Sequence, residues 1–159
     1  MQSLSSLQIN LASQSLATET LSPPVVPITV SIYNPAESPI TVLKWGSPID
    51  ARAGVLGVFD VCDTGSGEPI PLDIIRISRK LPPSLEDLVE ISGGQTMHFT
   101  VNLPGVHFHK GHEYSVSAAG TWHAVWEQPR SDVTASQLTD LGSANRGEFH
   151  SNIAFVKLE

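Results

Sequence analysis

Apolar and polar residues alternate along much of this chain with the two-residue period of β-strands. Near its start, for example, Leu7, Ile9 and Leu11 alternate with Gln8 and Asn10. The period recurs between turn-forming residues, and it predicts strands near Leu4–Leu11, Val25–Tyr33, Ile40–Lys44, Leu56–Cys62, Leu72–Ser78, Leu88–Ile91, Thr96–Leu103, Glu113–Ala119, Thr121–Glu127 and His150–Lys157. This spacing is typical of an all-β, antiparallel β-sandwich.

Helical patterns are scarce. Only Ser136–Leu141 and Ser84–Leu88 have helical character, and Ser84 is a suitable N-cap for a short turn. We expect a single domain over residues 1–159 with a long polar loop at 128–147. A loop of that length in a compact domain is either functional or an unstructured connection before the last strand.

Composition narrows the classes of function. The chain has 159 residues, 40% of them apolar, which is enough for one core, and a net charge of -7 without a basic stripe. Nucleic-acid binding is therefore disfavoured. No apolar run approaches the ~18 residues of a membrane span, and the single cysteine, Cys62, excludes an intrachain disulfide. The first fourteen residues lack the basic and continuous apolar parts of a secretory signal, which predicts a cytoplasmic protein.

Several short motifs follow one another in a familiar order: Ser31–Pro35, Val42–Trp45, a turn at Asp50, Leu56–Val61, Glu68–Pro71, Glu90–Gln95, Lys110–Gly120 and Ser151-Asn152. This order resembles the N-terminal propeptide domain of fungal deuterolysin-type and peptidyl-Lys metalloendopeptidases, over most of the chain. The resemblance implies an immunoglobulin-like or related sandwich, and a role as folding aid and inhibitor of a zinc protease.

The protease half of that family is not matched. Its zinc helix carries His-Glu-x-x-His, whereas His112-Glu113 is followed here by Tyr114, Ser115 and Val116. The chain therefore is not predicted to be the protease, and it resembles a free-standing relative of the propeptide domain. Fold kinship alone does not transfer the inhibitory function.

The densest group of candidate metal ligands lies in one short segment, at His107, His109, His112 and Glu113. On an extended chain His107 and His109 point to the same side, and a turn at Lys110-Gly111 brings His112 or Glu113 back towards them. Three such ligands suffice for zinc. Solvated loop histidines are the alternative, and we expect no cofactor.

Two tryptophans form the main candidate for a ligand pocket. Alternation predicts that Trp122, Ala124 and Trp126 share one face of a strand, with His123 on the other face. Trp45 is a third candidate for the same layer, and His123 is a candidate for the pocket rim. Such a face either packs into the core or lines an apolar cavity.

Two functions from different classes follow, and a metal-binding protein that uses His107, His109, His112 and Glu113 is a third. The first is a non-catalytic interaction module that binds a protein partner, and the cluster Arg76, Arg79 and Lys80 is either a solvated face or the contact for an acidic partner. The second is a small cofactor-free enzyme, of the isomerase or cyclase type, acting on an apolar metabolite. Neither catalytic residues nor an oligomeric state are indicated by the sequence.

Overall fold

The computed structural model describes residues 7–13, 25–50, 52–72, 74–75, 79–104, 108–109 and 111–157. Their strands are β1 (Gln8–Ser13), β2 (Val25–Tyr33), β3 (Ile40–Leu43), β4 (Phe59–Asp63), β5 (Leu88–Ile91), β6 (Thr96–Pro104), β7 (Glu113–Trp126), β8 (Asn145–His150) and β9 (Ala154–Lys157). One short α-helix, α1 (Ala135–Thr139), and 3-10 turns at Ala53–Val55, Leu85–Asp87, Arg130–Asp132 and Leu141–Ser143 complete the secondary structure of the described residues. The predicted all-β antiparallel sandwich with little helix is confirmed.

The first sheet has the strand order β1-β2-β6 and is antiparallel throughout. Its central strand β2 follows the period of two that the sequence shows: Ile28, Val30 and Ile32 are fully buried, whereas Thr29 and Ser31 between them are half-buried. Branched side chains suit this pleated surface, because they pack well between neighbouring strands. One face of this sheet therefore supplies one wall of the core.

The second sheet is organised around β7, the longest strand. One edge of β7 pairs first with β4 and then with β3, which in turn pairs with β5, and the other edge pairs with β9 and then with β8. Its inward residues Tyr114, Val116 and Trp122 belong to the same buried cluster as Ile28 and Val30 of the first sheet. The two sheets thus pack face to face, as in a sandwich.

A β-bulge interrupts β7 in its second half. Trp122 pairs with Gly147 and Val125 pairs with Asn145, so three steps on β7 match two steps on β8. The extra residue changes which face the following side chains occupy. Trp122 and Val125 both lie in the main core, whereas Ala124 and Trp126 lie in a second buried cluster. The expectation that Trp122, Ala124 and Trp126 share one face is therefore wrong.

The second cluster lies on the outer side of the second sheet and is covered by the segment after β7. It contains Leu43, Leu88, Ala124 and Trp126 from the sheet and Val133 and Leu138 from the covering segment. Thr134 caps α1, because its hydroxyl accepts a hydrogen bond from the backbone N–H of Gln137 and the Gln137 side chain bonds back to the Thr134 N–H. The predicted polar loop at 128–147 is therefore partly folded and packed over Trp126.

Three strand predictions differ from the structure. The described part of the predicted strand Leu72–Ser78, at residues 72, 74 and 75, is not in a strand, and the rest of it lies outside the described residues. The two strands predicted on either side of Gly120 are one continuous strand, β7. The single strand predicted at His150–Lys157 is instead the end of β8 followed by β9.

Candidate functional site

Three of the predicted metal ligands, His109, His112 and Glu113, lie in the described residues and are not arranged as a metal site. His107 lies outside the described residues. His112 Nδ1 donates to Asp63 Oδ2 at 2.9 Å, and Glu113 Oε1 accepts from Thr64 Oγ1 at 3.1 Å. The His109 ring centroid lies 6.0 Å from that of His112. In the part of the chain that the structure describes, no three His, Cys, Asp or Glu side chains are placed to hold a metal ion.

Asp63 instead organises the turn after β4. Besides the contact from His112, its carboxylate accepts hydrogen bonds from the backbone N–H groups of Gly65 at 2.8 Å and Ser66 at 3.4 Å. The hydrogen bond from His112, followed by that from Gly65, lowers the pKa of Asp63 from its ordinary value of 3.8. The histidine segment is thus tied to this turn by a pair of side chains.

The tryptophans do not form a common pocket. Trp122 is 0% exposed, and its ring centroid lies 5.1 Å from that of Phe149. Its Nε1–H has no hydrogen-bond partner among the described residues. Trp126 lines a groove of about 280 Å³ together with polar side chains such as Gln128 and Gln137. Trp122 is therefore a core residue, and it lines neither this groove nor the pocket of about 400 Å³ between β1 and β8.

A buried carboxylate holds the turn between β3 and the following loop. Asp50 is only 4% exposed, and its Oδ2 and Oδ1 accept hydrogen bonds from the backbone N–H groups of Gly46 at 3.0 Å and Arg52 at 2.9 Å. Arg79 Nη2 donates to the same Oδ2 at 2.5 Å. Because charged hydrogen bonds of this kind are the strongest ones available, Asp50 fixes the whole turn.

Arg79 joins this turn to the connection between β4 and β5. Its guanidinium carbon lies 5.6 Å from the centre of the Trp45 ring, in a cation–π arrangement, while the side chain remains 26% exposed. Trp45 is half-buried and also packs against the second buried cluster. Arg79 therefore links Asp50, Trp45 and the connection in one site.

His123 reaches the same site from β7. A Cβ atom at Gly46 would lie 2.6 Å from His123 Nε2, so only glycine leaves room for the ring. Gly46 also has φ +68°, a conformation that glycine adopts without strain. Since His123 is one of the two residues between the register positions of the bulge, the bulge directs its side chain towards the Asp50 turn.

The electrostatics of His123 reflect these neighbours. Partial burial lowers its pKa from 6.5, and the positive charges of Arg146 and Arg79 lower it further, whereas Asp50 raises it. His123 is still solvent-accessible. The site therefore combines one buried carboxylate, two arginines, one tryptophan and an imidazole whose neutral form is favoured.

The sequence named two members of this site, Trp45 and His123, as candidate ligand-binding residues. The sequence indicates Arg79 only as part of a basic cluster and Asp50 only as part of a turn. Arg146 carried no signal, because its approach to His123 depends on the pairing of β7 with β8.

Beside the site, the connection between β4 and β5 exposes large apolar side chains. Among the described residues, seven large apolar side chains are exposed, and four of them, Ile74, Ile75, Leu81 and Leu85, lie in this one connection. The connection is anchored at two described points: Ile75 N donates to Val55 O at 2.8 Å, and Arg79 binds Asp50. Exposed apolar side chains next to such anchored positions are candidates for contact with another protein.

Comparison with known proteins identifies the family. The family model for the immunoglobulin-like domain matches residues 10–158. The chain belongs to the immunoglobulin-like domain family. A similar protein is an uncharacterized secreted protein of Arthroderma benhamiae, 41% identical over 128 residues, which cover 79% of this chain and 64% of the relative. The chain thus spans slightly less than two thirds of that relative's length.

This relative contradicts the predicted cytoplasmic location, because it is a secreted protein by name. The prediction depended on the composition of the first fourteen residues alone, and the likeness over most of the chain outweighs it. No helix in the described part of this immunoglobulin-like domain is long and apolar enough to span a membrane.

Proposed function

We propose that this immunoglobulin-like domain is a secreted, non-catalytic module that binds another protein through the connection between β4 and β5. The observation that carries the proposal is the exposure of Ile74 and Leu81, at 67% and 68%, in a connection that is anchored to the domain at Ile75 and Arg79. Secretion follows from the likeness to the Arthroderma benhamiae protein.

The two anchored positions of the connection favour binding. A flexible segment loses conformational freedom when it binds, whereas a segment already held in place loses less. Ile74 packs its Cδ1 atom near Gly57, and Arg79 is held between Asp50 and Trp45. The exposed side chains therefore present apolar surface at a small entropic penalty.

The partner we propose is a metalloendopeptidase of the deuterolysin type. The order of motifs from Ser31–Pro35 to Ser151-Asn152 resembles the propeptide domain of these proteases, whose role is to assist folding and to inhibit the enzyme. The immunoglobulin-like family is consistent with a domain of this kind. An apolar, fixed connection is a suitable element for contact with the protease.

The test measures inhibition of a purified deuterolysin-type protease by the purified chain. Wild type should inhibit in a saturable way, and the double variant Ile74→Ser/Leu81→Ser should inhibit at least tenfold less, since central apolar contacts dominate interface energies. The matched control is Ile153→Ser/Phe155→Ser, which removes two apolar side chains that are exposed to a similar extent elsewhere.

Circular dichroism must show that both double variants remain folded. Equal loss of inhibition in the two variants would refute the assignment to the connection. A wild-type chain that neither inhibits nor binds the protease, by calorimetric titration, would refute the proposed partner.

A further inference from the structure

We propose that Arg79, His123 and Arg146 form a binding site for a carboxylate group, presented by an acidic side chain of the protein partner. The inference rests on the proposed function, because Arg79 belongs to the connection that contacts the partner. It adds a polar contact of defined chemistry to the apolar surface.

Three different parts of the fold place these side chains together. Arg79 comes from the connection and is held by Asp50, and His123 comes from the bulge of β7 and lies against Gly46. Arg146 is on β8, next to Gly147, which pairs with the residue preceding His123. The site therefore depends on the native pairing of β7 with β8, and it is not a property of one loop.

The charges of the site are only partly neutralised. Asp50 compensates Arg79, but Arg146 is exposed and makes no hydrogen bond or ion pair with another described residue. Both arginines are near enough to lower the pKa of His123. With His123 neutral, the site carries a net charge of about +1 in a chain whose net charge is -7.

This charge and this set of donors match a carboxylate. A guanidinium has five N–H donors, and the hydrogen bond from Arg79 to Asp50 uses one of its nitrogens. Arg146 has its full set available to a ligand. The paired N–H donors of an arginine match the two oxygens of a carboxylate. The single negative charge of a carboxylate balances the net charge of the site, whereas the two negative charges of a phosphate dianion exceed that net charge. Trp45, under Arg79, supplies an apolar wall for the methylene groups of a glutamate.

The test uses a blocked tetraglutamate peptide as the probe, with blocked tetraglutamine and inorganic phosphate as comparisons. NMR titration should show saturable shifts of the Trp45 indole N–H and the His123 ring with tetraglutamate and none with tetraglutamine. Arg146→Gln should weaken tetraglutamate binding at least fivefold. The control Lys157→Gln removes an exposed lysine of β9, opposite Glu113, and should leave binding unchanged.

A second readout separates binding from a structural role of Arg146. Bound carboxylate adds a negative charge next to Arg79, Arg146 and Asp50, so the pKa of His123 should rise when tetraglutamate is present. A His123 pKa that does not change with the peptide would overturn the proposal. Tighter binding of phosphate than of tetraglutamate, or an equal loss in Lys157→Gln, would also overturn it.

The failure of this inference is distinguishable from that of the proposed function. If wild type inhibits the protease while Arg146→Gln inhibits equally well, the carboxylate contact is refuted and the module function stands. If tetraglutamate binds as expected while the protease does not, the partner assignment is refuted together with the origin of the carboxylate.

Discussion

Trp122 offers a direct test of how the main core is built, because its indole is fully buried while its N–H has no hydrogen-bond partner among the described residues. We compare Trp122→Ala with Trp122→Phe. Deletion to alanine removes the whole ring and leaves a cavity beside Phe149. It should lower the free energy of unfolding by about 3–5 kcal/mol, the usual range for a large buried aromatic residue.

The phenylalanine variant should behave differently. Aromatic side chains bury ~150–250 Å², so the exchange of Trp for Phe loses at most ~100 Å², or about 2.5 kcal/mol at ~25 cal/mol per Å². It also removes a buried, unpaired N–H group, whose desolvation destabilises a protein by about 1–3 kcal/mol. These two effects oppose each other, and the net change should lie within about 1 kcal/mol of wild type.

Urea denaturation followed by far-UV circular dichroism measures both variants, provided that the slope of free energy against urea is unchanged. A loss of about 3 kcal/mol or more in Trp122→Phe would show that the indole N–H makes a stabilising hydrogen bond, and the reasoning would be refuted. A loss of under 1 kcal/mol in Trp122→Ala would contradict the placement of Trp122 in the core.

Three further predictions concern other parts of the molecule. Trp126→Ala should destabilise by about 3–5 kcal/mol and should speed amide hydrogen exchange in α1, because Val133 and Leu138 pack in the same cluster; unchanged exchange would contradict this packing. Asp50→Ala should destabilise the domain by about 3 kcal/mol in the same urea assay. This value is at the low end of the range for a broken buried ion pair, because Arg79 keeps access to water. Asp50→Asn should destabilise the domain less. The pKa of Asp63 is lowered in the folded state, so near pH 3.8 the unfolded chain binds more protons than the folded one, and stability falls as the pH decreases through this window. Asp63→Asn should flatten that decrease in thermal denaturation measured between pH 5 and 3, and an unchanged pH dependence would exclude this carboxyl as its origin.

The strands were predictable where they depend on local alternation. The bounds of β2 and β5 agree with the prediction. Buried and half-buried side chains alternate along β2, and β5 pairs residue by residue with β3. The antiparallel sandwich follows from the spacing of such strands, and its immunoglobulin-like type is what the resemblance to the propeptide domain implies. The cover at 128–147 was not predictable as folded structure, since only Val133, Leu138 and two partly buried residues of that polar segment reach the second cluster.

In the candidate site, too, the local sequence pattern predicts some features, whereas others depend on tertiary contacts. Alternation placed Trp122 and Trp126 on one face, but pairing with β8 inserts a bulge between them, and such a register shift leaves no periodic signal in β7 itself. Asp50 and Arg79 meet across 29 residues of sequence. Trp45 and His123 were identified by residue type, whereas the carboxylate and the two arginines that define their chemistry were supplied by tertiary contacts.

Trp45 connects the candidate site with the cover, the segment 128–147 that packs over the second buried cluster. Packing of this cluster and binding at the site are therefore linked. Trp45 packs against the second buried cluster with one part of its surface and under the Arg79 guanidinium with another. Arg146 lies at the C-terminal end of this cover, at the start of β8. Loss of the cover should therefore displace both Trp45 and Arg146 and weaken binding of an acidic ligand. By the same linkage, a ligand that binds only the ordered site must stabilise the cover against opening.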